Sequence, residues 1–273
     1  MINLKLELND LGPINNANIN INKINVVGGI NSSGKSIISK LLYCYLKSKV
    51  NDDSFDFLMD SEGMSNLKDS DIIIKSYLNP SEIFYIDNIS ILDLKDLDIL
   101  RVDHIIHIKE ALEENEDEIS QKSSEILDKI QNIIKSECLD STSSGIKEIG
   151  IIKLLLQNNK LKENSFLIID EPESSLHPEW EVKFAEILIL LVKELNINIY
   201  LNSHSPMFIE AISLYSQFYD LLSETNFYFT QKLDNNKFNF KKINPKNMGE
   251  IYENLTRPYD ELDKLKAKIL FKE

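Results

Sequence analysis

The sequence has little of what marks secreted, membrane or metal-cluster proteins. It contains only two cysteines, Cys44 and Cys138, and neither belongs to a Cys-x-x-Cys pair or a Cys/His cluster, which argues against a disulfide framework or a structural zinc site. The N-terminus has no cationic stretch followed by an apolar one, so we expect no signal peptide. No uncharged run approaches the length of a membrane span, since ILILLV at 187–192 lies between Glu186 and Lys193. We therefore expect a cytoplasmic protein with reduced thiols.

Repeats, linkers and an excess of basic charge are missing as well. The 273 residues show no internal repeat and no Gly/Pro-rich linker, and we treat 1–273 as a single domain with a helical lobe inserted at about 95–150. The net charge of −14, from 30 basic and 44 acidic residues, disfavours contact with nucleic acids or anionic membranes. A nucleic-acid partner would need a local basic patch, and the lysines at 264, 266, 268 and 272 fit a solvated helix face better.

Short apolar strands alternate with helical patterns along most of the chain. Alternating or apolar runs predict strands at 2–8, ANININ, 24–27, 82–86, 165–170 and 197–204. The runs IISKLLYCYL and EWEVKFAEILILLVKEL predict helices. Buried-type strands that alternate with helices favour an α/β fold with a mostly parallel central sheet, to which the first strands add an antiparallel part.

Two regions depart from this alternation. Between about 104 and 136 the pattern is helical and predicts a short helical lid. One face of it carries Ile119, Ile126, Leu127, Ile130, Ile133 and Ile134. The tail predicts a hairpin with its turn at 234–236, followed by two helical stretches at 247–255 and 260–270.

The segment GINSSGKS at 29–36 carries the clearest chemistry. It fits G-x-x-x-x-G-K-[S/T], follows an apolar strand and opens a helix, which is the context of a phosphate-binding loop rather than of a chance glycine/serine turn. Backbone N–H groups of such a loop bind phosphate oxygens, while Lys35 would neutralise the β- and γ-phosphates and Ser36 would ligate Mg²⁺. The predicted nucleotide contacts in this segment are Gly29, Asn31, Ser32, Ser33, Gly34, Lys35, Ser36 and Ile37.

The segment FLIIDEPE at 166–173 supplies acids that such a loop needs. A buried strand would deliver Asp170 to the metal beside Ser36, and Glu171 would polarise the attacking water. Alone, these acids would be an ordinary strand end, but together with a phosphate loop they predict a hydrolytic site. His204, in LNSHSP, would reach the same edge because ligands bind at the carboxyl ends of parallel strands. We predict Glu171, His204 and Lys35 as catalytic residues, with His204 as the sensor of the γ-phosphate.

Other chemistries find no support in the sequence. His104 and His107 are interpreted as structural, no histidines and acids form a metal-ligand cluster, and no G-x-S-x-G nucleophile motif occurs. The guanine-reading motif N-K-x-D is absent, and the first 27 residues contain no Phe, Tyr or Trp that could stack on a purine. These motifs therefore leave the choice of base open.

The stretch DSTSSGIKEI at 140–149 has two interpretations. TSSG could cap the helix that begins near 145, a contribution of about 1 kcal/mol. The same helix start could bind an anion, because its N–H groups are unpaired and the helix dipole favours negative charge there. The two interpretations are compatible, since a cap and an anion site can use the same residues.

Taken in order, the phosphate loop, SSGIK at 143–147, LIIDEPE at 167–173 and NSHSP at 202–206 resemble the motif set of ABC-type ATPases. The resemblance spans nearly the whole chain and is closest to bacterial AAA ATPases of the OLD/SMC-like group, many of which occur in phage-defence systems. It implies ATP as the nucleotide, with Mg²⁺. It also implies a head-to-tail homodimer, in which Ser143, Ser144 and Gly145 of one copy cap the γ-phosphate bound to the other.

The sequence departs from that family at several points. Ser32 and Ser144 stand where related motifs often carry glycine, and no glutamine follows the strand at 82–86, so that Asp87 or Asn88 would take its place. The lid is short. No TOPRIM nuclease pattern follows His204, so we expect a separate chain to perform any cutting of nucleic acid.

The resemblance implies an Mg²⁺-dependent ATPase that controls a partner effector, a nuclease or toxin, in antiviral defence. One alternative is an SMC-like ATPase for DNA repair or DNA ends, which the acidic charge disfavours. Another is a nucleotide-holding scaffold with little turnover, which the pair Asp170–Glu171 disfavours. A transporter ATPase fits the motifs least well.

Overall fold

A computed structural model describes residues 4–67, 71–87, 102–113, 119–134, 144–174 and 176–270. The strands within these ranges are β1 Leu4–Leu11, β2 Ile14–Ile21, β3 Ile24–Gly28, β4 Asp71–Ser76, β5 Ile83–Ile86, β6 Phe166–Asp170, β7 Asn198–Ser203, β8 Thr225–Lys232 and β9 Phe238–Ile243. The helices are α1 Lys35–Val50, α2 Phe55–Ser61, α3 Asp103–Glu113, α4 Gln121–Ile134, α5 Ser144–Gln157, α6 Pro178–Leu195, α7 Pro206–Phe218 and α8 Gly249–Leu270.

The described strands form one sheet in the order β4-β1-β2-β9-β8-β3-β7-β6-β5. The five strands from β8 to β5 run parallel. The other end is mixed, because β1 pairs antiparallel with β2 and β4, β9 pairs antiparallel with β8, and β9 pairs parallel with β2. The predicted α/β fold, with a mostly parallel central sheet and an N-terminal antiparallel part, is confirmed.

The central strands are apolar throughout because helices cover both faces of the sheet. β3, β6 and β7 are buried at every position, and successive side chains of a strand point to opposite faces. Val26 therefore packs in one core with Phe184 of α6 and Ile209 of α7, while Val27 packs in the other core with Leu42 of α1. Each such buried side chain contributes about 1.5–3 kcal/mol, so both faces of β3 are anchored in a core.

The helical pattern between 104 and 136 divides into two helices, α3 and α4, rather than one arm. Ile119, predicted on its apolar face, precedes α4 and is 45% exposed, while Ile126, Ile130 and Ile134 are buried as predicted. α3 packs against β5 and α4 against α6. These helices share the main core because their apolar faces have no second layer of their own to bury against.

The tail was predicted in part. The hairpin of β8 and β9 is confirmed, with its turn closed by the Leu233 N–H donating to Lys237 O at 2.8 Å. The prediction of two separate helical stretches was wrong, because α8 runs unbroken from Gly249 to Leu270 despite Pro258. Strand β4 was missed, since IIIK lies in a polar stretch and pairs only with the distant β1. Within the described ranges, no helix is long and apolar enough to cross a membrane.

Candidate functional site

The loop between β3 and α1 has a shape that its glycines make possible. A Cβ atom at Gly29 would overlap Thr230 Oγ1, and at Gly34, where φ is 97°, it would lie 2.6 Å from Ile14 Cγ1. Only glycine fits both positions. Ser32, which stands where related motifs often carry glycine, has a φ of 61°. This left-handed conformation costs a residue with a Cβ on the order of 1 kcal/mol.

The N-terminus of α1 is open to an anion. Its N-cap is Gly34, which makes no side-chain cap, and the first turn of the helix holds no acidic residue. The first N–H groups of a helix have no partner within the helix and carry the positive end of its dipole. The loop and helix start therefore present donors of the kind that bind phosphate.

Lys35 lies inside this loop rather than in solvent. Its Nζ donates to the carbonyl oxygens of Gly29 and Ile30, each at 2.9 Å. Burial lowers the pKa of Lys35, while the nearby charges of Glu171 and Asp170 oppose that shift. An ammonium held by two neutral carbonyls is available for exchange with a stronger, charged acceptor.

Asp170 ends β6 and is buried among hydrogen-bond donors. Asn202 Nδ2 donates to its Oδ1 at 2.5 Å and the Tyr85 hydroxyl to its Oδ2 at 3.2 Å, and the nearby Ser36 hydroxyl also acts to lower the pKa of the carboxylate. Burial nevertheless raises the pKa of Asp170, because these bonds and others only partly offset the loss of water. The structure thus places Ser36 near Asp170, and the sequence singled out both residues as metal ligands.

The pair Ser36 and Asp170 fits Mg²⁺ better than a metal that needs a protein cage. Among the described residues, no group of three or more His, Cys, Asp and Glu side chains could hold a metal ion. Mg²⁺ takes oxygen ligands and usually binds through one or two protein groups, with phosphates and water completing its shell. A buried carboxylate with a raised pKa also gains from a cation beside it. These residues would therefore hold Mg²⁺ as part of a phosphate complex.

Glu171 and His204 stand together at this edge of the sheet. Glu171 has a φ of 53°, and its N–H donates to Asn202 O at 2.9 Å. His204 follows β7, and its Nδ1 lies 3.8 Å from Glu171 Oε1 and 3.1 Å from Glu173 Oε1. The side chains of His204 and Glu171 are 40% and 24% exposed. Both groups therefore reach solvent beside the phosphate loop, where a substrate could meet them.

Sequence reasoning missed Glu173, which builds the turn that carries His204. Its Oε1 accepts from Ser203 Oγ at 2.8 Å, from the His204 N–H at 2.6 Å and from the Ser205 N–H at 3.1 Å. Asn202 and Tyr85, which hold Asp170, were missed as well. The sequence pointed to two of these residues only through their neighbours, since Asn202 and Glu173 lie within the motif segments NSHSP and LIIDEPE.

A second group of buried charges, which we name the His104 cluster, consists of Glu62, Asp87 and His104. His104 Nδ1 lies 2.8 Å from both carboxylate oxygens of Glu62. Its Nε2 lies 3.3 Å from Asp87 Oδ2, an ion-pair distance without hydrogen-bond geometry. Although burial alone lowers the pKa of His104, Asp87 and Glu62 raise it to about 9. This arrangement agrees with the structural interpretation of His104.

Asp87 connects the two sites in space. It follows β5, whose last residue Ile86 is in register with Ile169 of β6, so Asp87 comes level with Asp170 on the neighbouring strand. The Tyr85 ring packs 4.5 Å from the His104 ring, and its hydroxyl donates to Asp170. Of Asp87 and Asn88, which the sequence analysis placed where ABC-type ATPases keep a glutamine, Asp87 is the described residue.

The predicted contacts from the second copy fall largely outside the described residues. Ser143 lies outside them, as does Asn88, the alternative to Asp87 at the position of the missing glutamine. Ser144 and Gly145 lie in the first turn of α5, where only the backbone is described. The start of α5 at Ser144 agrees with the predicted helix start near 145. That Ser143, Ser144 and Gly145 contact a phosphate bound to a second copy stays a prediction.

Comparison with known proteins supports the fold. A family model described as "AAA domain, putative AbiEii toxin, Type IV TA system" matches residues 77–210, just under half of the chain. A nucleotide-free ATP-binding cassette from an ABC transporter is 14% identical with a TM-score of 0.50, over 94% of this chain and 96% of that chain. The SMC head domain from Thermotoga maritima is 14% identical with a TM-score of 0.50, over 89% and 100%. A search of curated proteins gave no match. The chain therefore has the α/β P-loop fold of the ABC-type ATPases.

Proposed function

We propose that the chain is an Mg²⁺-dependent ATPase with its site at the carboxyl edge of β3, β6 and β7. The observation that carries the proposal is convergence at one sheet edge. The glycine-shaped loop holds Lys35, Ser36 lies near Asp170, and Glu171 Oε1 stands 3.8 Å from His204 Nδ1. These groups come from three distant parts of the sequence. Chance polar residues would not be expected to gather in the arrangement that phosphoryl transfer needs.

In this proposal, each side chain has one task. Lys35 exchanges its carbonyl partners for phosphate oxygens, and Glu171 accepts a proton from the attacking water. His204 contacts the terminal phosphate. Mg²⁺ bound at Ser36 and Asp170 would supply positive charge against the phosphates. That cation matters here because Asp170, Glu171 and Glu173 surround the single ammonium of Lys35.

We further propose that two copies close head to tail over two ATP molecules. Glu171 and His204 reach solvent, so a bound phosphate would be covered on one side only. The helix start at Ser144 offers backbone N–H groups that could complete the cover from a second copy. ATP would then stabilise the closed dimer, by about 2.7 kcal/mol at 100 times its dissociation constant.

The cycle would control a separate effector, a nuclease or toxin, in phage defence. Support for this setting comes from the matched family model, whose description names a putative toxin and a toxin–antitoxin system. The proposal treats the chain as a single ATPase domain, because α3 and α4 pack on the body through β5 and α6. ATP binding or hydrolysis would reach the effector through a change in dimer closure.

An SMC-like role on DNA is the second candidate, favoured by the likeness in fold to an SMC head. The net charge of −14 opposes it. Salt-sensitive duplex binding that shifts with ATP would favour this candidate over control of a protein effector.

Phosphate release from ATP tests the enzymatic part of the proposal. We expect Mg²⁺-dependent turnover in the wild type and nearly none in Lys35→Ala, because the loop then lacks its only ammonium. Lys242→Ala, an exposed lysine of β9, is the matched control and should keep wild-type turnover. Equal turnover in wild type and Lys35→Ala would refute the site.

The defence role has its own test. Deleting the gene from its native operon should raise phage plating, and restoring the Lys35→Ala allele should not reverse this. If plating is the same with and without the gene, the defence role is wrong, while the ATPase proposal is unaffected.

A further inference from the structure

A cavity of about 520 Å³ lies beside the phosphate loop. Its walls are the end of β8, the adjoining strand β9, one face of α8 and the side of the loop that carries Ile30. Among the described residues of the proposed ATP site, neither Lys35 nor Asp170 lines it. Cavities of about 300–1,000 Å³ are the size that small organic ligands occupy. The cavity is therefore a second concave site, adjacent to the proposed ATP site and separate from it.

Cations line this cavity although the chain is acidic. Lys232, Lys241 and Arg257 stand there with Glu250 and Glu261, an excess of positive charge in a chain whose net charge is −14. Lys241 is paired with Glu250 at 2.6 Å. Among the described residues, the side chains of Lys232 and Arg257 have no ion-pair or hydrogen-bond partner. These two cations are therefore available to an anionic ligand.

Arg257 has the geometry that recognises phosphate. Only two of the 30 basic residues in the sequence are arginines, so the ordinary surface cation of this chain is lysine. The planar guanidinium of an arginine donates two parallel hydrogen bonds to a phosphate or carboxylate, which an ammonium cannot do. Arg257 and Lys232 together therefore suit the cavity to a phosphate group.

The remaining lining suits the other parts of a nucleotide. The side chain of Ile30 is 45% exposed and offers an apolar surface to a flat ring. Gln231 presents its amide, and Asn254, whose Nδ2 donates to Glu250 O at 2.7 Å, keeps its Oδ1. Amide side chains of this kind bond to the edges of bases. Glu261 would repel a plain anion, but the hydroxyls of a ribose can donate to such a carboxylate.

We propose that this cavity binds a nucleotide in addition to the ATP of the phosphate loop. The phosphate of this nucleotide binds Lys232 and Arg257, and its ribose binds Glu261. A nucleotide uses both the cationic and the neutral parts of the lining, whereas inorganic phosphate uses only the cations. Binding here requires neither hydrolysis nor Lys35, so the site goes beyond the proposed function.

The cavity also lies against the part of the loop that holds Lys35. Lys35 Nζ donates to Ile30 O at 2.9 Å, and the loop packs tightly on β8, since a Cβ at Gly29 would overlap Thr230 Oγ1. A ligand that fits the cavity as it stands favours the loop arrangement in which Lys35 stays on that carbonyl. We therefore expect a nucleotide in the cavity to slow ATP turnover, a consequence that rests on the proposed ATPase function.

Calorimetry with AMP on Lys35→Ala protein is the first test, because AMP lacks the β- and γ-phosphates that Lys35 would hold. We expect one AMP per chain, and roughly tenfold weaker binding when Lys232→Ala and Arg257→Ala are added, since hydrogen bonds from two cations are lost. Lys242→Ala with Lys246→Ala removes the same charge outside the cavity and should leave AMP binding unchanged. All four added substitutions are at exposed residues, so the fold should be kept. No AMP binding to Lys35→Ala protein, or binding that the cavity substitutions leave intact, would overturn the proposal.

Competition and turnover then test what the cavity recognises. Inorganic phosphate at the same concentration should not displace AMP from Lys35→Ala protein, and equal competition would contradict the assignment to a nucleotide. With Lys35 intact and ATP saturating, AMP should slow phosphate release, and Lys232→Ala with Arg257→Ala should abolish this inhibition. Turnover that AMP does not change, or inhibition that persists in the double variant, would contradict the coupling to the loop. If the wild type shows no turnover, the ATPase proposal fails, while calorimetry still decides whether the cavity binds a nucleotide.

Discussion

The carboxyl edge of the central strands and the His104 cluster both bury charge, but they do so in different ways. Around His104, two carboxylates face one imidazole at 2.8 to 3.3 Å, and their charges hold the pKa of that ring at about 9. At the sheet edge, three carboxylates surround Lys35, and burial raises the pKa of Asp170. The first group sets two carboxylates against one cation, whereas the second sets three carboxylates against one and carries the larger excess of negative charge.

Unsatisfied polar atoms sharpen this contrast. Buried atoms without a hydrogen-bond partner include Ser33 Oγ, Glu173 Oε2 and Asn202 Oδ1, all within or beside the sheet-edge site. His104 Nε2 also lacks such a bond but keeps its ion-pair contact with Asp87. Buried polar groups are normally paired, so groups that are not paired mark where a ligand is expected. The comparison separates a cluster that stabilises the fold from a site suited to bind nucleotide and metal.

The largest effect should come from Glu171→Gln. If Glu171 activates water, the variant should lose about 10²–10⁴-fold in ATP turnover while still binding ATP, because the amide keeps the size of the side chain. Phosphate release and nucleotide binding measure the two properties separately. The exposed Glu253→Gln is the control and should behave as wild type. A variant with normal turnover would assign the base role to another group.

His104→Ala should lower the stability of the fold and leave the nucleotide site nearly unchanged, in contrast to Glu171→Gln. Removing the imidazole leaves Glu62 and Asp87 buried without their cation, and breaking a buried pair costs about 3–5 kcal/mol. Urea unfolding should show this loss of stability, while the protein that remains folded should bind ATP with little change in affinity. If stability is unchanged and only turnover falls, the cluster belongs to the active site and the contrast between the regions fails.

The pH dependence of stability gives a finer test of the same cluster. The pKa of His104 is raised to about 9 from an ordinary value of 6.5, so its stabilising contribution is full below pH 6.5 and is lost as the pH rises through 9. The difference in unfolding free energy between wild type and His104→Gln should therefore shrink between pH 6.5 and 9. A difference that grows over this interval would mean that the ring is neutral in the folded protein.

The smallest effect is expected at Ser32. Its φ of 61° suits glycine, so Ser32→Gly should raise the unfolding free energy by up to about 1 kcal/mol. Thermal unfolding can detect this, with Ser33→Gly, which has no positive φ to relieve, as the matched comparison. A loss of stability in Ser32→Gly would show that the serine side chain contributes more than the backbone strain costs.

Local patterns predicted the elements that build the site. The glycine spacing at 29 and 34, followed by Lys35, is a property of consecutive residues, and it identified the strand, loop and helix that the structure contains. The placement of Asp170 and His204 at the same edge followed from the rule for parallel strands, and the register of β6 and β7 agrees. These predictions needed no knowledge of distant contacts.

The features that were missed all depend on tertiary contacts. Tyr85 reaches Asp170 across 85 positions of sequence, and His104 reaches Glu62 across 42. The run IIIK of β4 is itself rich in β-branched residues, but its pairing with the distant edge of β1 cannot be read from those residues. The tail was predicted as two helical stretches, but α8 is held at its first half by the core and continues through Pro258.

Light scattering on Glu171→Gln tests the central claim most directly, namely that one sheet edge of this chain is half of a shared ATP site. We predict a monomer without nucleotide, a dimer with ATP and Mg²⁺, and no dimer when Ser143→Arg is added. A mass that neither ATP nor Ser143→Arg changes would contradict the account.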